Sequence, residues 1–316
     1  MTQTVRPEGG EEGAAQGAQG AQVAPAAASV RASRWGSLAD LALRAASALV
    51  MVAGALGSLW AGGAWFTAFW ALAGLAVYWE WEHLAGGRNM IVRLALGALT
   101  LGGAAVLAST SEVEWALAAV AAGAAGVGWL GRGASAADRG GQAGWCAAGL
   151  VYAGAMVIAV CVLRHSLFLG SVAILWLFAV VWGTDVMAYF GGRLIGGPKL
   201  WPRVSPGKTW SGFWVGVGSG AATGTLVVAY AATPGEAPLF PVFLLGLAAA
   251  AVSQGGDLFE SMVKRRYGVK DSGRLIPGHG GAMDRLDGFI FAAIFAALVG
   301  ALHKGAVAAA HGLLVW

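Results

Sequence analysis

Trp145-Cys-Ala-Ala-Gly-Leu-Val-Tyr-Ala-Gly-Ala-Met-Val-Ile-Ala-Val-Cys-Val-Leu163 is a run of nineteen residues without a charge. As a helix rising about 1.5 Å per residue, it approaches the ~20 apolar residues that cross the hydrocarbon of a bilayer. Similar runs recur on both sides of it. Their edges give nine spans, at about 38–60, 64–80, 91–108, 115–130, 145–163, 167–190, 211–232, 238–255 and 288–303, the last reaching toward Trp316. The expected fold class is therefore all-α, a polytopic integral membrane helical bundle with two functional cytosolic loops. The composition agrees, with 58% hydrophobic and 11% charged residues, against about 25% charged in soluble domains.

Residues 1–33 are rich in Gly, Ala, Gln and Glu, have no aromatic residue, and cannot bury enough apolar surface to offset the entropy of ordering. They are expected to be a disordered tail, and residues 34–316 a single transmembrane catalytic domain. The 51 glycines fit close helix approach in lipid. The two cysteines, Cys146 and Cys161, lie fifteen residues apart in one span, about 22 Å along a helix, so they cannot pair there and read as small buried hydrophobes. Tryptophans 35, 60, 79, 81, 115 and 201 fall near span ends, as interfacial residues would.

Basic residues accumulate on the cytoplasmic side of membrane proteins. With the N-terminus inside, 18 of the 20 Lys and Arg residues fall on inside segments, leaving Arg164 and Lys304 outside. Losing one central span would scramble that distribution. The two largest inside loops, 191–210 and 256–287, are also the most polar, which implies a cytosolic reactant.

Of 36 charged residues, eleven lie between positions 257 and 287. If the eighth span continues as helix, Asp257, Glu260, Ser261, Lys264 and Arg265 share one face. Asp257 sits at the edge of the hydrocarbon, where an ionised carboxylate is costly and keeps a cation for company. Downstream, Pro277-Gly278-His279-Gly280-Gly281 could turn consecutive amides toward a phosphate just before a helix N-terminus. Asp284 and Asp287 follow in that helix's first turn, and Asp284 suits Mg²⁺, which takes one or two protein carboxylates and completes its shell with phosphates and water. In the earlier loop, Asp185 is an acid within an apolar run and is expected to be buried. Tyr189-Phe190-Gly191-Gly192-Arg193 and Lys199 lead into residues 202–209, where the cations Arg203 and Lys208 and the hydroxyls of Ser205 and Thr209 suggest a second anion-contacting loop, although the spacing is not that of a Walker loop. Carboxylates, cations and a lipid-embedded body together suggest phosphoryl or nucleotidyl transfer onto a lipid.

The run Ser261-x-Val263-Lys264-Arg265-x₄-Lys270-Asp271-x-Gly273-x₂-Ile276-Pro277-x-His279-Gly280-Gly281-x₂-Asp284-Arg285-Leu286-Asp287 resembles the signature of the phosphatidate cytidylyltransferases. Gly256-Asp257-Leu258-x-Glu260-Ser261, Asp185 with Ala188-Tyr189-Phe190-x-Gly192-Arg193, and Ser205-Pro206-x-Lys208-Thr209 resemble other blocks of that family. The likeness covers residues 183–288, and the N-terminal half is matched by hydropathy and span count alone. Ala282, Gly288, Ser211 and Gly197 depart from the family pattern.

The resemblance implies transfer of a cytidylyl group from CTP to phosphatidic acid in a bilayer, giving CDP-diacylglycerol and pyrophosphate. It implies Mg²⁺ on Asp257 and Asp284, with a second cation such as K⁺ beside it, and no nucleic-acid partner. Lys264, Arg265, Lys270, Asp271, His279, Arg285 and Asp287 are the catalytic residues it suggests. Asp185, Tyr189, Arg193, Ser205, Lys208, Thr209, Ser261, Gly280 and Gly281 are its substrate-binding residues. A homodimer in a bacterial inner membrane, with N-terminus and active-site loops cytoplasmic, fits the same likeness. The rival expectations are a CTP-dependent enzyme acting on another lipid, such as a polyprenol or phytol kinase or an archaeal-lipid cytidylyltransferase, and a non-enzymatic lipid transporter.

Overall fold

The computed structural model describes residues 26–132, 141–278 and 280–316. The chain divides into a short unit, Met1–Ala42, and a compact unit, Leu43–Trp316. Helix α1 runs Ala26–Ala61, so helix extends into the segment whose composition suggested a tail. Its first residues, Ala-Ala-Ala-Ser-Val-Arg-Ala, are Ala-rich and favour helix strongly.

The remaining helices are α2 (Gly63–Ala85), α3 (Met90–Ser109), α4 (Val113–Leu130), α5 (Gly141–Arg164), α6 (Gly170–Leu194), α7 (Trp210–Ala231), α8 (Leu239–Arg266), α9 (Met283–Lys304) and α10 (Ala309–Leu314). Among the described residues, eight helices are long and apolar enough to cross a membrane, the architecture of a polytopic helical membrane protein. Helix α2, expected as the second span, is the long helix left out. Its last turns carry Glu80 and Glu82, which are fully buried.

Packing gives two halves. Helices α2 to α5 pack on one another, α6 to α9 follow as successive neighbours, and α5 joins the halves through α9 and α6. Close approach of α6 and α7 rests on a stripe of glycines four residues apart, Gly212, Gly216, Gly220 and Gly224. A Cβ on Gly220 would lie 2.0 Å from Thr184 Oγ1 and 2.7 Å from the Val180 carbonyl. The seam between halves is aromatic. Trp70 of α2 stacks on Phe289 of α9 with ring centroids 4.8 Å apart, and Trp81, expected near an interface, is buried against Tyr152 and Phe259.

Two expectations at the C-terminus change. Helix α9 begins at Met283, ahead of the span edge expected near 288, so Asp284 lies in its first turn and Asp287 in its second. It stops at Lys304, and α10 folds back on it, with His303 Nδ1 2.8 Å from the Gly312 carbonyl. Cys146 and Cys161 are free and buried, as their spacing required.

Between α6 and α7 the chain forms a small antiparallel hairpin, β1 (Lys199–Trp201) with β2 (Ser205–Thr209). It ends as Thr209 Oγ1 caps α7, accepting from the Gly212 amide at 3.1 Å. The C-terminal ends of α6 and α8 and the N-terminal ends of α7 and α9 therefore meet at one end of this half.

Candidate active site

A cavity of about 560 Å³ opens at that end. Its walls come from four segments far apart in sequence. Helix α6 contributes Asp185, Tyr189 and Arg193, which repeat every four residues and so share one face. The hairpin contributes Ser205, Lys208 and Thr209, α8 contributes Gln254 and Asp257, and α9 contributes Asp284, Arg285 and Asp287.

Lys208 crosses from the hairpin to α8. Its Nζ donates to Asp257 Oδ2 at 2.5 Å and to Gln254 Oε1 at 3.3 Å. Gln254 Nε2 in turn donates to Asp185 Oδ1 at 3.5 Å, so one chain of polar groups ties three walls together. The charge-assisted link is the strong one in that chain. Asp185 was expected to be buried. It is instead exposed, because the α6 face it occupies looks into the cavity rather than into the helix seam.

Asp284 is held differently. Lys264 Nζ donates to its Oδ1 at 2.7 Å, while the Ser272 amide, the Ser272 hydroxyl and the Gly281 amide all donate to Oδ2, at 3.0, 2.9 and 2.9 Å. Lys264 also pairs with Glu260 Oε2 at 2.5 Å, and the Glu260 side chain is almost fully buried. A carboxylate with a cation and three hydrogen-bond donors around it stays ionised and fixed in direction.

The glycine loop supplies one of those donors. Gly278 and Gly280 have positive φ of 76° and 85°, a conformation that favours glycine, and the Ile276 amide bonds the Gly280 carbonyl at 2.9 Å. The expected phosphate cradle takes another form here. The Gly281 amide is spent on Asp284, and the next two amides, of Ala282 and Met283, both donate to Glu80 at 2.8 Å. Protein carboxylates sit where an anion was anticipated. A Cβ on Gly281 would fall 2.1 Å from Ser272 Oγ and 2.5 Å from Glu80 Oε2, so a larger residue there would push both side chains from their hydrogen-bonded positions.

The structure thus gathers ten of the sequence-derived residues on one cavity: Asp185, Tyr189, Arg193, Ser205, Lys208, Thr209, Asp257, Asp284, Arg285 and Asp287. Lys264 stands behind it, bound to Asp284, and Gly280 and Gly281 form the supporting turn. Arg265, Lys270 and Asp271 are exposed and do not line it, and Ser261 is half-buried on α8. His279 lies outside the described residues. Reading the sequence missed Gln254, Glu260 as a buried partner, Ser272 and Glu80. Gln254 did leave a signal, since it is an amide one turn before Asp257 in an otherwise apolar helix.

Oxygen donors of the kind that suit a hard divalent cation are abundant here. Asp257 also has room. Gly288 passes so close that a Cβ there would lie 2.7 Å from Asp257 Oδ1, and α8 and α9 touch again where a Cβ on Gly256 would meet the Asp287 carbonyl at 2.5 Å. Glycine at position 288, a departure from the family pattern, therefore leaves Asp257 Oδ1 clear of a side chain. Ser211, another departure, donates to the Gly196 carbonyl and lies 3.0 Å from Thr209 Oγ1. Among the described residues, no three His, Cys, Asp or Glu side chains already converge as a metal cage. A donor set of this kind fits an ion that binds through one or two carboxylates and takes its other ligands from substrate and water.

The sequence profile of the cytidylyltransferase family matches residues 42–303. This chain belongs to the cytidylyltransferase family. A phosphatidate cytidylyltransferase of Brucella abortus biovar 1 (strain 9-941) is 42% identical over 286 residues, covering 84% of this chain and 95% of that protein. Proteins of the same name from Haemophilus influenzae (strain ATCC 51907 / DSM 11121 / KW20 / Rd) and Bacillus subtilis (strain 168) are 42% and 43% identical over shorter stretches. Those stretches cover 42% and 39% of this chain, and 45% of each relative. The cytidylyltransferase match takes in α2 to α5 as well as the cavity, so it extends beyond the segment 183–288 in which the motifs lie.

Proposed function

We propose that this protein transfers the cytidylyl group of CTP to phosphatidate, forming CDP-diacylglycerol and releasing pyrophosphate. The observation that carries the reading is the single cavity of about 560 Å³ in which cations and carboxylates from α6, the hairpin, α8 and α9 converge. It lies in a membrane-spanning bundle of the cytidylyltransferase family, whose relatives matched over most of their length are named for this activity.

The chemistry asks little of a base. An oxygen of the lipid phosphate, already anionic, attacks the α-phosphorus of CTP; the bond from that phosphorus to the bridging oxygen breaks, and the electrons leave with pyrophosphate. Positioning and neutralisation of charge carry the rate. Lys208, on the hairpin, and Arg285, on α9, are assigned to the phosphates. Asp257 fixes the Lys208 ammonium, and Lys264 fixes Asp284. Mg²⁺ is assigned to Asp257 and Asp284, and when bound it supplies positive charge to the nucleotide phosphates. Because Asp284 already accepts from Lys264, Ser272 and Gly281, Asp257 is the roomier ligand of the two. Acyl chains would enter laterally from the bilayer. The basic residues on segments 191–210 and 256–287 support a cytoplasmic site, and the bacterial relatives support the inner membrane.

The test is product formation by the purified, detergent-solubilised chain with labelled CTP, Mg²⁺ and a panel of lipid acceptors. Labelled CDP-lipid formed with phosphatidate is the expected result. Label passing instead to a polyprenol, phytol or archaeal lipid phosphate, with none on phosphatidate, would refute the assignment.

A further inference from the structure

Glu80 belongs to the N-terminal half, outside every motif that marks the cavity, and its side chain is fully buried. It reaches the first turn of α9. Its Oε1 accepts from the Ala282 amide and its Oε2 from the Met283 amide, both at 2.8 Å. These are amides at the start of α9 with no partner one turn back along the helix, and an anion satisfying them also meets the positive end of the helix dipole. A third donor is the Ser272 hydroxyl, 3.1 Å from Glu80 Oε2 and 2.9 Å from Asp284 Oδ2. One hydroxyl proton serves two carboxylates, one belonging to α2 and the other to the cavity. Two glycines leave the room this requires. A Cβ on Gly273 would fall 2.6 Å from Glu80 Oε1, and one on Gly281 would fall 2.5 Å from Oε2.

Resting on the cytidylyltransferase reading above, we infer that Glu80 is a positioning residue for the transfer: from outside the cavity it sets the register of the α9 first turn, and with it the direction of Asp284 and Arg285. Glu80 does not line the cavity, so its effect on the reaction passes through those two residues. An isolated buried carboxylate is costly, and three donors from one loop compensate it only while that loop is in place. The same contacts that satisfy Glu80 therefore lock the loop.

The experiment compares wild type, Glu80→Gln, Glu80→Asp and Ser272→Ala as full-length protein in detergent. Turnover is normalised to folded protein, kcat and KM are separated, and the melting temperature is recorded. Glu80→Gln replaces one acceptor with a donor facing an amide. It is expected to lower kcat about 100-fold, the cost of a misplacement of about 1 Å, with KM for phosphatidate nearly unchanged. Glu80→Asp keeps the charge but is a methylene shorter, and is expected to recover part of the loss. Ser272→Ala leaves both amide bonds in place and is expected to lower kcat about tenfold, with little change in melting temperature. Wild-type kcat per folded molecule in Glu80→Gln, or Glu80→Asp no better than Glu80→Gln, would overturn the inference. If Glu80→Gln does not fold, Ser272→Ala decides, and wild-type kcat there would overturn it. A wild-type chain that forms no CDP-lipid is a different failure: the functional reading falls, and this inference with it.

Discussion

The two halves of this bundle use the same charged residue types in opposite ways. In the C-terminal half, Asp185, Lys208, Asp257 and Arg285 face one cavity, and water can reach it. In the N-terminal half, Glu80, Glu82 and Arg93 are fully buried, and Arg93 Nε holds Glu82 Oε2 at 2.7 Å. Arg93 also donates to the carbonyls of Gly86 and Arg88, closing the turn between α2 and α3. A charge facing the cavity can act on a substrate directly, whereas a buried, partnered charge acts only through the backbone and side chains it holds in place. The difference lies in what surrounds each group, since both sets are carboxylates and cations.

Substitutions on either side can break that contrast. Asp284→Asn should have the largest effect, near-complete loss of CDP-lipid formation at about 10³-fold, because it removes charge from the site and places an amide donor against the donors of Lys264, Ser272 and Gly281. The readout is turnover per folded molecule. Next, Arg93→Met should leave Glu82 buried without its cation and cost about 3–5 kcal/mol of stability, visible as a lowered melting temperature, while turnover of the folded fraction persists. Turnover lost with the fold intact would place Arg93 on the functional side and erase the contrast. Gly220→Leu is expected to be milder, about 1–3 kcal/mol, by overpacking the α6–α7 seam against Thr184 and Val180. It sharpens the comparison, since any activity loss beyond the loss of folded protein would report movement of Asp185 on α6 relative to Lys208 on the hairpin.

Much of this was legible before the structure. Spans follow from apolar run length, and α5 and α8 sit close to where hydropathy put them. The facing of Asp257 and Lys264 follows from unbroken helical spacing through the end of α8. Asp284 was visible as an acid in a first turn, whereas Asp287, expected beside it there, falls in the second. What the sequence could not supply was direction across the chain. Lys208 finds Asp257 only because the hairpin folds over α8, and Glu80 finds Ala282 only because α2 packs near the start of α9, about two hundred residues away. Glu80 did carry a local signal, an acid between Trp79 and Trp81, but with Glu82 and His83 after it the pattern read as the end of a span. The glycine loop misled for a related reason. Its amides do face carboxylates, yet those of the protein itself, and no local rule distinguishes a protein carboxylate from a phosphate.

In the proposed function, Asp257, linked to the hairpin by Lys208, stands at the heart of one cytidylyl-transfer site. The most direct measurement compares Mg²⁺-dependent formation of CDP-diacylglycerol from CTP and phosphatidate by wild type and Asp257→Asn at matched amounts of folded protein. Wild type is expected to form product and the variant to lose about 10³-fold in turnover. Undiminished turnover in Asp257→Asn would contradict that assignment.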